Sequence, residues 1–183
     1  MNKESSESGS NFCEEKVDPA RLNNNLYFTG EMNESSSYKF LYLLHQLEHE
    51  KIAVLDKQCN LYINSSGGTC TSGLLMYDAL RNSPLDITVI APGFIGSSAT
   101  IVLLGRDKRL CTPNTNFLIH PISTFACGRL PDVKNRLAYG QILEDQFFGI
   151  YQKHTKISRD MMQEETYFSS SKALDIQLVS KII

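Results

Sequence analysis

The chain has 183 residues, 42% of them hydrophobic and 21% charged, with a formal net charge of -2. That length suits one packed domain, and the near-balanced charge argues against a nucleic-acid or anionic-membrane binder. Five cysteines without CxxC spacing point to free thiols in a reducing compartment, not a disulfide framework or a zinc site. A polar, acidic N-terminus does not read as a signal peptide, so cytoplasmic residence is expected. The most apolar stretch, residues 87–104, is broken by Pro92, glycines and serines. It reads as a buried strand and a buried helix, not a membrane span.

In chain order, residues 1–24 form a polar arm expected to be disordered, followed by a single domain at 25–183. The first strand is expected at 26–29, closed by Gly30. Serines at 35–37 can cap a helix in which Phe40, Leu43, Leu44 and Leu47 recur at helical spacing, ending near Glu50. A strand at 60–64 runs into Ser65, Ser66, Gly67 and Gly68, and a helix bearing Leu74, Leu75, Tyr77 and Leu80 follows. A strand at 87–91 ends at Pro92 and Gly93, and a short helix begins near Ser97. Strands at 109–111 and 116–119 flank a Pro113-Asn114 turn. A long helix spans 131–153, with Pro131 at its first position and an apolar stripe of Val133, Leu137, Ile142, Leu143, Phe147, Ile150 and Tyr151. A helix at 158–163, a strand-like Tyr167-Phe168, a helix at 170–175 and a strand at 178–183 complete the chain. Strands alternating with helices predict an α/β domain with a mainly parallel sheet.

Two segments can carry chemistry. In 64–73 (NSSGGTCTSG) a strand meets paired glycines, whose bare amides can hold a developing negative charge; the same residues also make an ordinary strand-to-helix turn. In 93–100 (GFIGSSAT) a serine at a helix start is either an activated nucleophile or an N-cap. His120, after the apolar run 117–119, stands at a strand end where it can serve as a base. His45, His49 and His154 read as surface or helix-face residues. His45 and His49 are four apart but have no third ligand nearby, which argues against a metal.

Taken together and in order, these segments resemble the Clp protease proteolytic subunit, ClpP. Y-I-N-S-S-G-G at 62–68 is similar to the family's Y-I-N-S-P-G-G, with Gly73 and Tyr77-Asp78 following as its G…Y-D. G-F-I-G-S at 93–97 resembles G-x-x-A-S. K-R-L-C-T-P-N at 108–114 and Ile119-His120 resemble K-R-x-A-x-P-N…I-H. His154-Thr155 and the Phe168, Ser169, Ala173, Leu178 and Val179 series match the C-terminal pattern. The likeness covers residues 26–183.

The resemblance implies a ClpP/crotonase-like α/β fold: a mainly parallel sheet, surrounding helices and a long protruding handle helix. It implies a serine endopeptidase with Ser97 as nucleophile, His120 as general base, and the amides of Gly68 and Ser98 as oxyanion hole. Glu165 stands where the family's third triad residue, an aspartate, is expected, and Asp160 is the alternative. The family assembles as two stacked heptameric rings, a tetradecamer, here with itself or with a paralogous subunit. An AAA+ unfoldase such as ClpX, ClpA or ClpC delivers unfolded polypeptide, and the ATP is used by that partner. No cofactor, metal, nucleic acid or membrane is implied. The chain departs from the pattern in several places. Ser98 replaces a methionine and is a rival nucleophile. Ser66 replaces a proline, the loop between Ser97 and Lys108 is shorter, and His120-Pro-Ile-Ser-Thr replaces H-Q-P and its glycine pair. A catalytically inactive ring subunit and a crotonase-like acyl-CoA enzyme remain as alternatives.

Overall fold

The computed structural model describes residues 19–51 and 57–183; most of the arm expected at 1–24 lies outside them. Strand β1 (Ala20–Leu22) and strand β2 (Asn25–Met32) form an antiparallel hairpin, Ala20 opposite Tyr27. Regular structure therefore starts ahead of the strand read at 26–29. The pattern missed β1 because its three residues carry no alternation.

The organising element is β3 (Gln58–Gly68), eleven residues that bury alternate side chains, Cys59, Leu61, Ile63 and Ser65. It pairs in parallel with the full span of β2, from Asn25↔Asn60 to Met32↔Gly68. Its first half also pairs with β4 (Asp86–Ala91) and its second half, at Ser65↔Ile95, with β5 (Phe94–Gly96). Beyond β4 lie β6 (Arg109–Cys111) and β9 (Lys181–Ile182); beyond β5 lie β7 (Asn116–Ile119) and the antiparallel β8 (Thr166–Ser169). One strand thus belongs to two leaves, and the sheet curls about it. A register shift between Thr29 and Glu31 allows this. Gly30 turns there with φ 93°, and its carbonyl accepts a 2.5 Å bond from the Ser65 hydroxyl. Glycine makes that dihedral accessible.

Helix α1 (Glu34–Lys51) buries Phe40, Leu44 and Leu47 against this sheet. Its cap is Asn33, not a serine: Asn33 Oδ1 accepts from the Ser36 amide at 2.9 Å, and Ser36 Oγ accepts from the Asn33 amide at 3.0 Å. Helix α2 (Cys70–Asn82) starts directly after β3, capped by the Thr69 hydroxyl. Helix α3 (Ser98–Leu103) has no solvent-facing residue; all six are buried. That accounts for the apolar run at 99–104, interrupted only by Thr100, and among the described residues no helix is long and apolar enough to cross a membrane.

Helix α4 (Leu130–His154) behaves as two halves. Its C-terminal half buries Leu143, Phe147 and Tyr151, whereas Leu130, Leu137, Tyr139 and Ile142 are more than half exposed. The stripe read along the helix is therefore covered by the described residues over only part of its length, and the outer half projects as a handle. The helix read at 158–163 is a single 3-10 turn, Asp160–Met162, followed by β8, α5 (Ser170–Asp175) and β9.

The end of α4 is fastened to α2 through the Tyr77 hydroxyl and His154 Nε2, 3.0 Å apart. Burial, then the Arg109 and Arg81 cations, keep the His154 imidazole below its ordinary 6.5. The folded state therefore binds this proton less readily than the unfolded chain. Its stabilising contribution is present above the unfolded value and is lost as pH falls through the lower folded one. Urea midpoints should accordingly drop on acidification below about pH 6.5, and His154→Gln should flatten that acid-side slope.

Candidate active site

β3 ends in two glycines whose backbone only glycine tolerates in this setting: φ is 97° at Gly67 and 152° at Gly68. A Cβ on Gly67 would lie 2.6 Å from the Gly96 carbonyl oxygen and 2.7 Å from Ser97 Cβ. On Gly68 it would lie 2.0 Å from the Met32 oxygen. The strand end therefore presses bare backbone onto the β5–α3 turn.

That turn carries Ser97 at φ 54° and ψ -129°, a conformation that costs an L-residue free energy and clusters at functional sites. The Ser97 amide donates to the Leu118 carbonyl at 2.9 Å, and its carbonyl accepts from the Thr100 amide at 3.0 Å. Although Ser97 occupies the N-cap of α3, its hydroxyl makes no capping bond. The ordinary use of a serine at a helix start is therefore not what this one does. It is half-buried and lines a cavity of about 340 Å³ together with Gly68 and His120. Ser98 is fully buried, its Oγ donating to the Gly68 carbonyl at 3.3 Å and lying 3.6 Å from Met32 Sδ. Of the two adjacent serines, only Ser97 lines the cavity, whereas the Ser98 hydroxyl is turned into the interior.

His120 follows β7 and is half-buried. Its Nδ1 sits 2.7 Å from the Pro121 carbonyl oxygen. A carbonyl can only accept, so Nδ1 carries a hydrogen, and in the neutral ring the lone pair is then on Nε2. Glu165 lies just before β8, and the β7–β8 register, extended one pair beyond Ile119↔Thr166, sets it opposite His120. In this conformation its carboxylate is beside the Tyr167 hydroxyl and holds that phenol above its ordinary value. Asp160 is exposed on the 3-10 turn. Neither carboxylate lines the cavity, and among the described residues no hydrogen bond joins Glu165 or Asp160 to the imidazole.

The cavity's far wall is apolar: Ile122, Leu143, Phe147, Tyr151 and Met162, with Tyr139 at its mouth. Tyr139, Leu143, Phe147 and Tyr151 are successive i, i+4 positions on α4, one face of the helix. The sequence placed the last three in an apolar stripe without tying them to a site; the four-residue spacing that includes Tyr139 was the available signal. Cys70 also borders the cavity, and burial pushes its thiol up, which makes it a poor nucleophile near neutral pH. No group of His, Cys, Asp or Glu among the described residues is placed to hold a metal ion.

Comparison with known proteins agrees with this architecture. The family described as Clp protease matches residues 14–183. The ATP-dependent Clp protease proteolytic subunit of Deinococcus radiodurans is 30% identical over 135 residues, which covers 70% of this chain and 66% of that protein. The match thus spans just under two thirds of the relative. Among solved structures, a point mutant of ClpP1 from Listeria monocytogenes has a TM-score of 0.77 at 18% identity, covering 88% of this chain and 91% of the other; the fold is shared. The chain belongs to the Clp protease family, on the side of its proteolytic subunit, ClpP.

Since the Gly67 position is in contact with backbone as well as with Ser97, Gly67→Ala should lower stability by about 1–3 kcal/mol and displace Ser97. Chemical denaturation beside the rate of serine labelling by a phosphonate measures both effects.

Proposed function

We propose that this chain is a serine endopeptidase that cleaves unfolded polypeptide inside an oligomeric chamber. The observation that carries the reading is a strained, uncapped Ser97 on the same cavity as a His120 whose Nδ1 is engaged by the Pro121 carbonyl, which leaves Nε2 as the accepting nitrogen of the neutral ring. In the proposed reaction Ser97 Oγ attacks the peptide carbonyl carbon while His120 Nε2 takes its proton. The tetrahedral oxyanion is held by the amides of Gly68 and Ser98. Collapse expels the amine with the proton from His120, and water then attacks the acyl-enzyme through the same base. The apolar wall of the cavity suits a hydrophobic side chain on the residue that supplies the scissile carbonyl.

The exposed apolar residues of α4, and the exposed Phe125 in the segment before it, suit burial against further copies of the chain. We assign them to self-association in stacked heptameric rings, alone or with a paralogous subunit. The Deinococcus radiodurans relative is named ATP-dependent; for this chain the ATP would be used by an AAA+ unfoldase partner, and no cofactor is assigned to it. A second reading, a non-catalytic ring subunit, draws on one observation: His120 Nδ1 faces a neutral carbonyl and not a carboxylate.

A fluorophosphonate probe separates the two. Labelling is expected at Ser97, abolished in Ser97→Ala, retained in Ser98→Ala and slowed at least about 100-fold in His120→Ala. Absence of labelling in a folded, ring-shaped preparation would establish the non-catalytic reading. Glu165→Gln then decides what holds the imidazole. A near-normal rate assigns that role to the Pro121 carbonyl, and a loss of about 100-fold or more assigns it to the Glu165 carboxylate in the assembled particle.

A further inference from the structure

We infer that the Tyr151 hydroxyl, acting through Thr100, orients the Ser97–Ser98 peptide and so positions the Ser98 amide for catalysis. The inference rests on the reading of Ser97 as nucleophile and of the Ser98 amide as an oxyanion donor.

The direction of the hydrogen bonds is fixed by chemistry. Thr100 Oγ1 lies 2.6 Å from the Ser97 carbonyl oxygen, which can only accept. A threonine hydroxyl has one proton, and this contact uses it. Tyr151 Oη, 2.5 Å from the same Thr100 oxygen, must therefore be the donor in that pair. The order is Tyr151 to Thr100 to the Ser97 carbonyl. Thr100 is fully buried and Tyr151 is 2% exposed, so water does not compete for either bond and the polarised chain is stronger for it. Burial also pushes the Tyr151 phenol well above its ordinary range, which keeps the donor proton in place.

The consequence for the site follows from peptide planarity. The Ser97 carbonyl and the Ser98 amide belong to one rigid unit and point in opposite directions. Pinning the carbonyl on the Thr100 side therefore fixes where the amide hydrogen aims. This matters because Ser97 sits in a sparsely populated conformation, and such a residue relaxes unless its surroundings hold it. Tyr151 is at once a wall of the substrate cavity and a residue of α4, so the helix that projects from the domain reaches the nucleophile through two hydroxyls. The residues are 51 positions apart in sequence. Tyr151 is a positioning residue; it needs no contact with the reacting atoms.

An oxyanion donor acts in the transition state and not in the ground state. Tyr151→Phe and Thr100→Val are therefore each expected to lower kcat for a peptide substrate about tenfold, the scale of one hydrogen bond, with KM unchanged. Thr100→Ser, which keeps the hydroxyl, should restore kcat. Tyr77→Phe, which removes a different buried phenol packed against α4, should leave kcat as it was. Amide hydrogen exchange over residues 97–104 should quicken in Tyr151→Phe without a matching change elsewhere. Unchanged kcat and unchanged exchange in Tyr151→Phe and Thr100→Val would overturn the inference. So would a loss that Thr100→Ser fails to restore, or one that appears in KM alone. If wild-type Ser97 resists the probe, the peptidase reading fails, and the exchange measurement still decides whether Tyr151 holds the turn.

Discussion

Everything near the site depends on the contact of bare backbone between the end of β3 and the turn at Ser97. With 2.6 Å between a virtual Gly67 Cβ and the Gly96 oxygen, no other residue type allows the two segments to meet. The same proximity recurs one turn into α2, where a Cβ on Gly73 would lie 2.8 Å from Ser98 Cβ. The glycines are thus placed where α3 is wedged against its neighbours. The paired amides and the strained serine are two sides of one close approach. The register shift at Gly30 belongs to the same arrangement, since it sets Met32 opposite Gly68 and so fixes where β3 stops being sheet and becomes site.

Interior polarity is handled with backbone carbonyls in preference to carboxylates. Arg109, buried and lowered by desolvation, donates to the carbonyls of Leu178, Gln177 and Arg106. Arg106 reaches those of Ser83 and Leu85. His120 meets the carbonyl of Pro121 in the same manner. Carbonyls satisfy a buried donor without adding a second buried charge that itself needs solvation. In the arginines this ties the C-terminal segment and the α2–β4 turn to β6. In the histidine it selects a tautomer.

The sequence was most legible where periodicity is local. The spacing of Phe40, Leu44 and Leu47 marked α1, the apolar run ahead of His120 marked β7, and Pro131 marked the start of α4. It failed where the outcome depends on what covers a surface. The stripe of α4 reads the same whether its residues face this chain or another, and only the fold shows that Leu137 and Ile142 face outward. β5 escaped because three residues, Phe-Ile-Gly, hold no alternation to read. The adjacent serines 97 and 98 could be ranked by motif spacing, but their opposite orientations arise from a backbone dihedral that composition does not encode. The Thr100–Tyr151 bond joins a polar residue inside an apolar run to one inside an apolar stripe, and nothing local distinguishes either from core.

α3 has no solvent face, and the serine stands at its first turn. In terms of how such a sequence can drift, the consequences for the two helices nearest the cavity differ. Any change in α3 must fit a space already filled on all sides, so its six residues can vary only together with the neighbours they touch. The outward face of the outer half of α4, with Leu137 and Ile142 more than half exposed, is not packed against any of the described residues to the same degree and can change with whatever surface meets it. Lineages of this protein can therefore alter their outward contacts quickly while the mounting of the serine stays fixed.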